Sequence, residues 1–237
     1  MPDRKSLFGN PESGGTEKYG GIRMDELIRA AMDYARNVFR EDSSGHDLDH
    51  TLRVCRTASM LAEQEGADHE LVSLIALLHD VDDVKLFPES NPGLEHAVSF
   101  LRAHAVPDDR VEVICTAIRQ ISFAGKDSVT PDTLEGKCVQ DADRLDALGA
   151  VGIARAFAYG GAHHRRMYDP AVSPRMEMSG EEYRRYGGST TINHFHEKLL
   201  LLEDLMNTSA AKRIAAARTA YMRGFLEEFR KEWDGEF

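Results

Sequence analysis

Cysteine is scarce: Cys55, Cys115 and Cys138 are the three in a chain of 237 residues. The number is odd and no pair stands at C-x-x-C spacing, which argues against a disulfide framework or a thiolate zinc site and fits buried thiols in a reducing compartment. Long apolar runs are lacking too. Stretches such as Leu74 to Leu78 fall far below the roughly 20 residues of a membrane-crossing helix. The opening MPDRKSLFGNPESGG has no apolar leader core, so a cytoplasmic protein is expected. Positive charge is also short, with 29 Lys and Arg against 40 Asp and Glu, a net charge of −11. That balance excludes a long nucleic acid as the main partner, since one needs a track of cations. It leaves room for a small anionic ligand in a locally cationic pocket. Alternating apolar and polar residues are absent, and Pro (8) and Gly (19) are too few for a β sandwich.

What is present is the helical period. Ile22, Leu27, Ala31, Ala35, Val38 and Phe39 recur on one face, as do Leu52, Cys55, Ala58, Ser59 and Ala62. Further helices are predicted over 68–82, 94–104 and 108–122. A long Ala- and Leu-rich pattern follows over 134–159, then two more helices over 191–206 and 209–233. Gly149 and Gly152 suggest close helix packing, and Ile214, Ala217, Tyr221, Phe225, Phe229 and Trp233 form a stripe on the last helix. The fold class read from this pattern is all-α. Residues 1–21, rich in Gly, Pro, Ser and charge, read as a flexible tail, and 22–237 as a single helical domain. Within it, 160–189 breaks the period and reads as a lid or a plain inserted loop.

His and Asp concentrate in three separate runs: GHDLDHTLRV (45–54), ALLHDVDDVK (76–85) and QDADRLDALG (140–149). The apolar run Leu71 to Leu78 delivers His79 and Asp80 from a buried helix, where ionisable groups are costly unless paired or bound to metal. Two imidazoles, His50 and His79, with two carboxylates, Asp80 and Asp143, make a mixed nitrogen and oxygen donor set. It suits one divalent ion, with Mn²⁺, Mg²⁺, Co²⁺, Fe²⁺, Ni²⁺ or Zn²⁺ all compatible. Six-coordination would leave about two positions for water or a substrate oxygen. No phosphate-binding G-x-x-x-x-G-K-[ST] loop, G-x-G-x-x-G turn or G-x-S-x-G elbow occurs.

These residues resemble the H…HD…D signature of the HD superfamily of metal-dependent phosphohydrolases. The likeness runs over about 25–235, through SGHDLDHTLRV, LLHDVDDVK, DADRLDALGAVGIARAF and TINHFHEKLL, and is similar to one bacterial branch. Some members of that branch cleave nucleoside triphosphates to monophosphate and pyrophosphate with Mn²⁺, which makes manganese the favoured ion. The resemblance implies a helical bundle with the metal at its centre, held by His50, His79, Asp80 and Asp143. It also implies an acidic residue that handles the attacking water. Asp83 stands at the matching position, four residues after His79 and so one helical turn away. It could equally orient a ligand histidine. Lys85 and Arg144 are the cations nearest the ligands in sequence, though Arg144 could instead pair with Asp141 or Asp146. His46, Asn193, His194 and Lys198 are candidate substrate contacts. His96 and His104, about 12 Å apart along one helix, cannot together ligate a second metal. The expected function is a metal-dependent phosphohydrolase acting on a small phosphorylated substrate, a nucleoside triphosphate first. The alternative is a nucleotide- or metal-binding regulatory module with little or no catalysis.

Overall fold

The computed structural model describes residues 18–19, 22–40, 47–83, 93–122, 127–176, 182 and 189–236. His46, Lys85, most of the tail and much of the second half of the 160–189 segment lie outside them. The chain is all-α. A short antiparallel pair, β1 (Lys18–Tyr19) with β2 (Ile22–Arg23), precedes α1 (Met24–Val38). Then come α2 (Leu48–Glu65), α3 (His69–Leu78), α4 (Glu95–Ala103), α5 (Asp108–Arg119) and α6 (Leu134–Asp146). The series closes with α7 (Gly149–Ala162), α8 (Thr191–Glu197), a 3₁₀ turn over Leu199–Leu205, and α9 (Ser209–Asp234). No described helix is long and apolar enough to cross a membrane.

α3 is the centre of the bundle. Leu71 to Leu78 are all buried, as an apolar helix without a polar face must be, and α1, α2, α5 and α6 pack around it. Its start is fixed by Asp68, whose carboxylate accepts from the amides of Glu70 and Leu71 at 3.0 Å each. α2 is held at both ends: Asp47 caps the amide of His50 at 2.8 Å, and Gly66, at φ 77°, closes the C-terminus in the left-handed conformation. Because α2, α3 and α6 pack against one another, the three His- and Asp-rich runs meet.

Several expectations change, among them the helix over 191–206, which divides into α8 and the 3₁₀ turn. The helix expected over 68–82 ends at Leu78, and residues 79–82 form tight turns in which Val81 and Asp83 donate to the carbonyls of Leu78 and Asp80. The placement of Asp83 one α-helical turn beyond His79 therefore fails, because the chain leaves the helix between them. The 134–159 pattern resolves into two helices, α6 and α7. Leu148 is extended, and Gly149 takes φ +72°, a conformation that disfavours a side chain. Gly152 lies against the turn just made: a Cβ there would sit 2.2 Å from the Ala147 carbonyl oxygen.

The C-terminal stripe also divides. The buried face of α9 is Ala211, Ala215, Thr219, Met222 and Leu226, whereas Tyr221 is 60% exposed. Phe225 and Phe229 instead flank that face and meet Phe157 of α7, the first edge-on and the second tilted.

The cysteines are interior. Burial pushes the Cys55 thiol up to about 11 and Cys138 up to about 12, and raises Cys115 as well. The native protein is therefore expected to resist a thiol reagent at about pH 8 that labels all three after denaturation. Rapid labelling of the folded chain would contradict this packing.

Candidate metal centre

α2 brings His50 to the centre one turn after its N-cap, the end of α3 brings His79 and Asp80, and α6 brings Asp143. His50 Nε2 stands 3.4 Å from Asp80 Oδ2 and 3.4 Å from Asp143 Oδ1. His79 Nε2 stands 3.3 Å from the same Asp80 oxygen. His50, His79 and Asp80 form a group able to hold an ion, and Asp143 closes it through His50.

The donors fit a divalent cation. Ligands about 2.0–2.2 Å from an ion, at angles near 90–109°, stand roughly 2.9–3.5 Å from one another. His79 Nδ1 faces the Ala76 carbonyl at 2.8 Å, which fixes its proton there and leaves the Nε2 lone pair pointing inward. That buried Nε2 has no hydrogen-bond partner among the described residues. A ring nitrogen so oriented, next to a carboxylate oxygen, suits a cation between them.

The titration behaviour carries the same message. Burial works against a charged His50, but Asp143, Asp146 and Asp80 outweigh it and hold its pKa well above the ordinary histidine value. Burial works against a charged Asp143, yet His50 and His79 bring it down to about 2. Asp146 lies below the usual carboxylate range, with His50 and Arg53 overcoming its burial. The cluster thus stabilises positive charge among its carboxylates.

Asp146 was not singled out from the sequence. Its Oδ2 lies 2.7 Å from His50 Nδ1, on the side of the ring away from the donors. Arg53 spans both its oxygens at 2.7 and 3.0 Å, and Arg155 of α7 donates to Oδ2 at 2.7 Å. The signal was a spacing: His50-x-x-Arg53 on α2 faces Asp143-x-x-Asp146 on α6, and residues three apart share a helix face.

The other named residues are placed as follows. Arg144 is buried and turns its guanidinium to the carbonyl of Leu205, while burial lowers its pKa against the pull of Asp141 and Asp143. Among the described residues, Arg53 and Arg155 reach a carboxylate of the cluster, that of Asp146. Asp141 takes the amides of Asn207 and Thr208 and the Thr208 hydroxyl, and so secures the start of α9. In the HDVDD run, Asp82 accepts from the amides of His96 and Ala97 and meets His96 Nδ1 at 2.9 Å, capping α4. His104 closes the other end of α4, its Nδ1 on the Phe100 carbonyl. Asp83 is half-buried just beyond.

Asn193 is buried and donates to the Val172 carbonyl at 2.7 Å. It lines a 360 Å³ cleft with Tyr168, His196 and Arg230, none of them a proposed metal donor. His194 and Lys198 are half-buried, the Lys198 amide donating to the His194 carbonyl.

A bundle of this kind, with paired His and Asp donors at the junction of three helices, defines a metal-dependent hydrolase. Residues 47–148 match the HD domain family model. Over 216 residues the chain is 36% identical to the Bacillus subtilis protein YpgQ, covering 90% of this chain and 96% of that one. A crystal structure of a Bacillus thuringiensis HD-superfamily hydrolase superposes with a TM-score of 0.71 at 41% identity, covering 90% of this chain and 100% of that one. The crystal structure of a Lactobacillus plantarum protein gives 0.80 at 41% identity, covering 91% of this chain and 100% of that one. YpgQ has been crystallised in complex with ADP, and that structure superposes with a TM-score of 0.69 at 30% identity, covering 88% and 96%. The chain belongs to the HD superfamily of metal-dependent phosphohydrolases.

Proposed function

We propose that the protein hydrolyses a nucleoside triphosphate to the monophosphate and pyrophosphate at this centre. The observation that carries the reading is the convergence of His50, His79, Asp80 and Asp143 at separations of 3.3–3.4 Å, beside the buried end of α3. The nucleotide part is supported by the relative YpgQ, which was crystallised with ADP. Manganese is the favoured ion, and a single domain over 22–237, working in the cytoplasm, is part of the same proposal.

A divalent ion at these donors supplies Lewis acidity toward a phosphoryl oxygen and lowers the pKa of water. The chain must provide the rest. Asp143, with its side chain 27% exposed, marks the open side through which a phosphate would enter. Asp146 and the Ala76 carbonyl accept the Nδ1 protons of His50 and His79, so that each ring turns Nε2 toward the ion. Asp83 is proposed to take the proton of the attacking water, from the turn that also carries Asp80. Pyrophosphate is a highly charged leaving group. Lys85 is the cation proposed for it, with His46, Asn193, His194 and Lys198 as substrate contacts. Arg144, the other cation suggested by the sequence, is turned to the Leu205 carbonyl, and Asn193 also donates to a backbone carbonyl.

A nucleotide panel incubated with Mn²⁺, with all products resolved, tests the reading. The expected products are monophosphate and pyrophosphate in equal amounts, abolished by a chelator. Release of orthophosphate alone would overturn the cleavage position. No turnover of any nucleotide, with metal bound, would favour the regulatory module.

A further inference from the structure

The two histidines of the centre solve the same problem by different means. A neutral imidazole that presents Nε2 to a metal must carry its proton on Nδ1, and that proton needs a fixed acceptor. For His79 the acceptor is the Ala76 carbonyl, three residues earlier and held rigid by α3 itself. For His50 it is a side chain, Asp146 of another helix, at 2.7 Å. A lone carboxylate can swivel, or can surrender its charge when buried. Asp146 is 6% exposed, and both of its oxygens are engaged: Arg53 takes Oδ1 and Oδ2 together, and Arg155 takes Oδ2.

The break between α6 and α7 makes the second contact possible. Asp146 is the last residue of α6, and Arg155 lies nine residues later on α7. The left-handed Gly149 and the side-chain-free Gly152 fold α7 back tightly enough for Arg155 to reach both the carboxylate and, at 3.3 Å, the carbonyl of Asp146. The run DADRLDALGAVGIAR therefore contains a metal donor, its neighbour's support and the turn that assembles that support.

We propose that Asp146, clamped by Arg53 and Arg155, is a positioning residue: it fixes the Nδ1–H tautomer of His50 and so its ability to bind metal. The inference rests on His50 being a metal donor. Asp146→Asn keeps the shape but lets an amide donate to Nδ1, which would place the proton on Nε2 and block ligation.

Two readouts on the full-length protein test it, neither being turnover. Mn²⁺ affinity is expected to fall about 10- to 100-fold in Asp146→Asn. In the Zn²⁺-loaded protein, the downfield proton resonance of His50 Nδ1–H is expected in the wild type and absent from the variant. Should Asp146→Asn fail to fold, Arg53→Gln and Arg155→Gln, which keep the carboxylate, are each expected to weaken Mn²⁺ binding about threefold or more. Unchanged Mn²⁺ affinity in the folded variants, with the resonance retained, would overturn the inference. A wild-type chain that binds no Mn²⁺ would instead overturn the metal centre itself.

Discussion

Asp80→Ala is expected to lower turnover by more than about a thousandfold and to strip the divalent ion. Asp80 is the donor that touches both halves of the centre: its Oδ2 stands 3.4 Å from His50 Nε2 and 3.3 Å from His79 Nε2. Without it the two imidazoles, ring centroids 5.6 Å apart, lose the carboxylate oxygen they share, and Asp143 remains beside His50. The backbone there is already a turn beyond the end of α3, so alanine is sterically acceptable and helix content is expected to stay as in the wild type. Metal analysis and turnover on the same folded sample decide the matter. Retained turnover would remove the metal centre from the account.

Gly152→Ala is expected to destabilise the chain by about 2–4 kcal/mol, a fall of roughly 4–16 °C in Tm. The added Cβ would lie 2.2 Å from a backbone oxygen, that of Ala147, which cannot rotate away as a side chain would. Relief requires opening the α6–α7 turn, and that turn brings Arg155 to Asp146. Gly161→Ala, in the same helix but with nothing within 4 Å of the new Cβ, is the control, and a neutral or slightly stabilising effect is expected there. Equal Tm values for the two variants, by thermal denaturation, would show that the turn is not tight.

The helical period made the fold class legible, because nearly every element buries one face at three- and four-residue spacing. The four proposed donors were legible for a different reason. His and Asp at the end of a wholly apolar run are too costly to be incidental, and the match to a family signature joined the three runs. The remainder depended on packing. Nearness in sequence pointed to Arg144 as the cation of the site, yet the next residue on a helix faces about 100° away, and Arg144 turns to the Leu205 carbonyl. Arg155 is twelve residues from Asp143 and joins the cluster only because α6 and α7 are broken at Gly149. The end of α3 was misplaced by four residues because nothing between Leu78 and Asp82 is a Gly or Pro. The turn there is set instead by side-chain demands, with Asp82 capping α4.

His50, His79, Asp80 and Asp143 are proposed to hold one divalent ion. Equilibrium binding of Mn²⁺ to the metal-free chain tests it most directly. One ion per chain is predicted, with binding lost in Asp80→Ala; no binding, or binding that survives the loss of Asp80, would contradict the account.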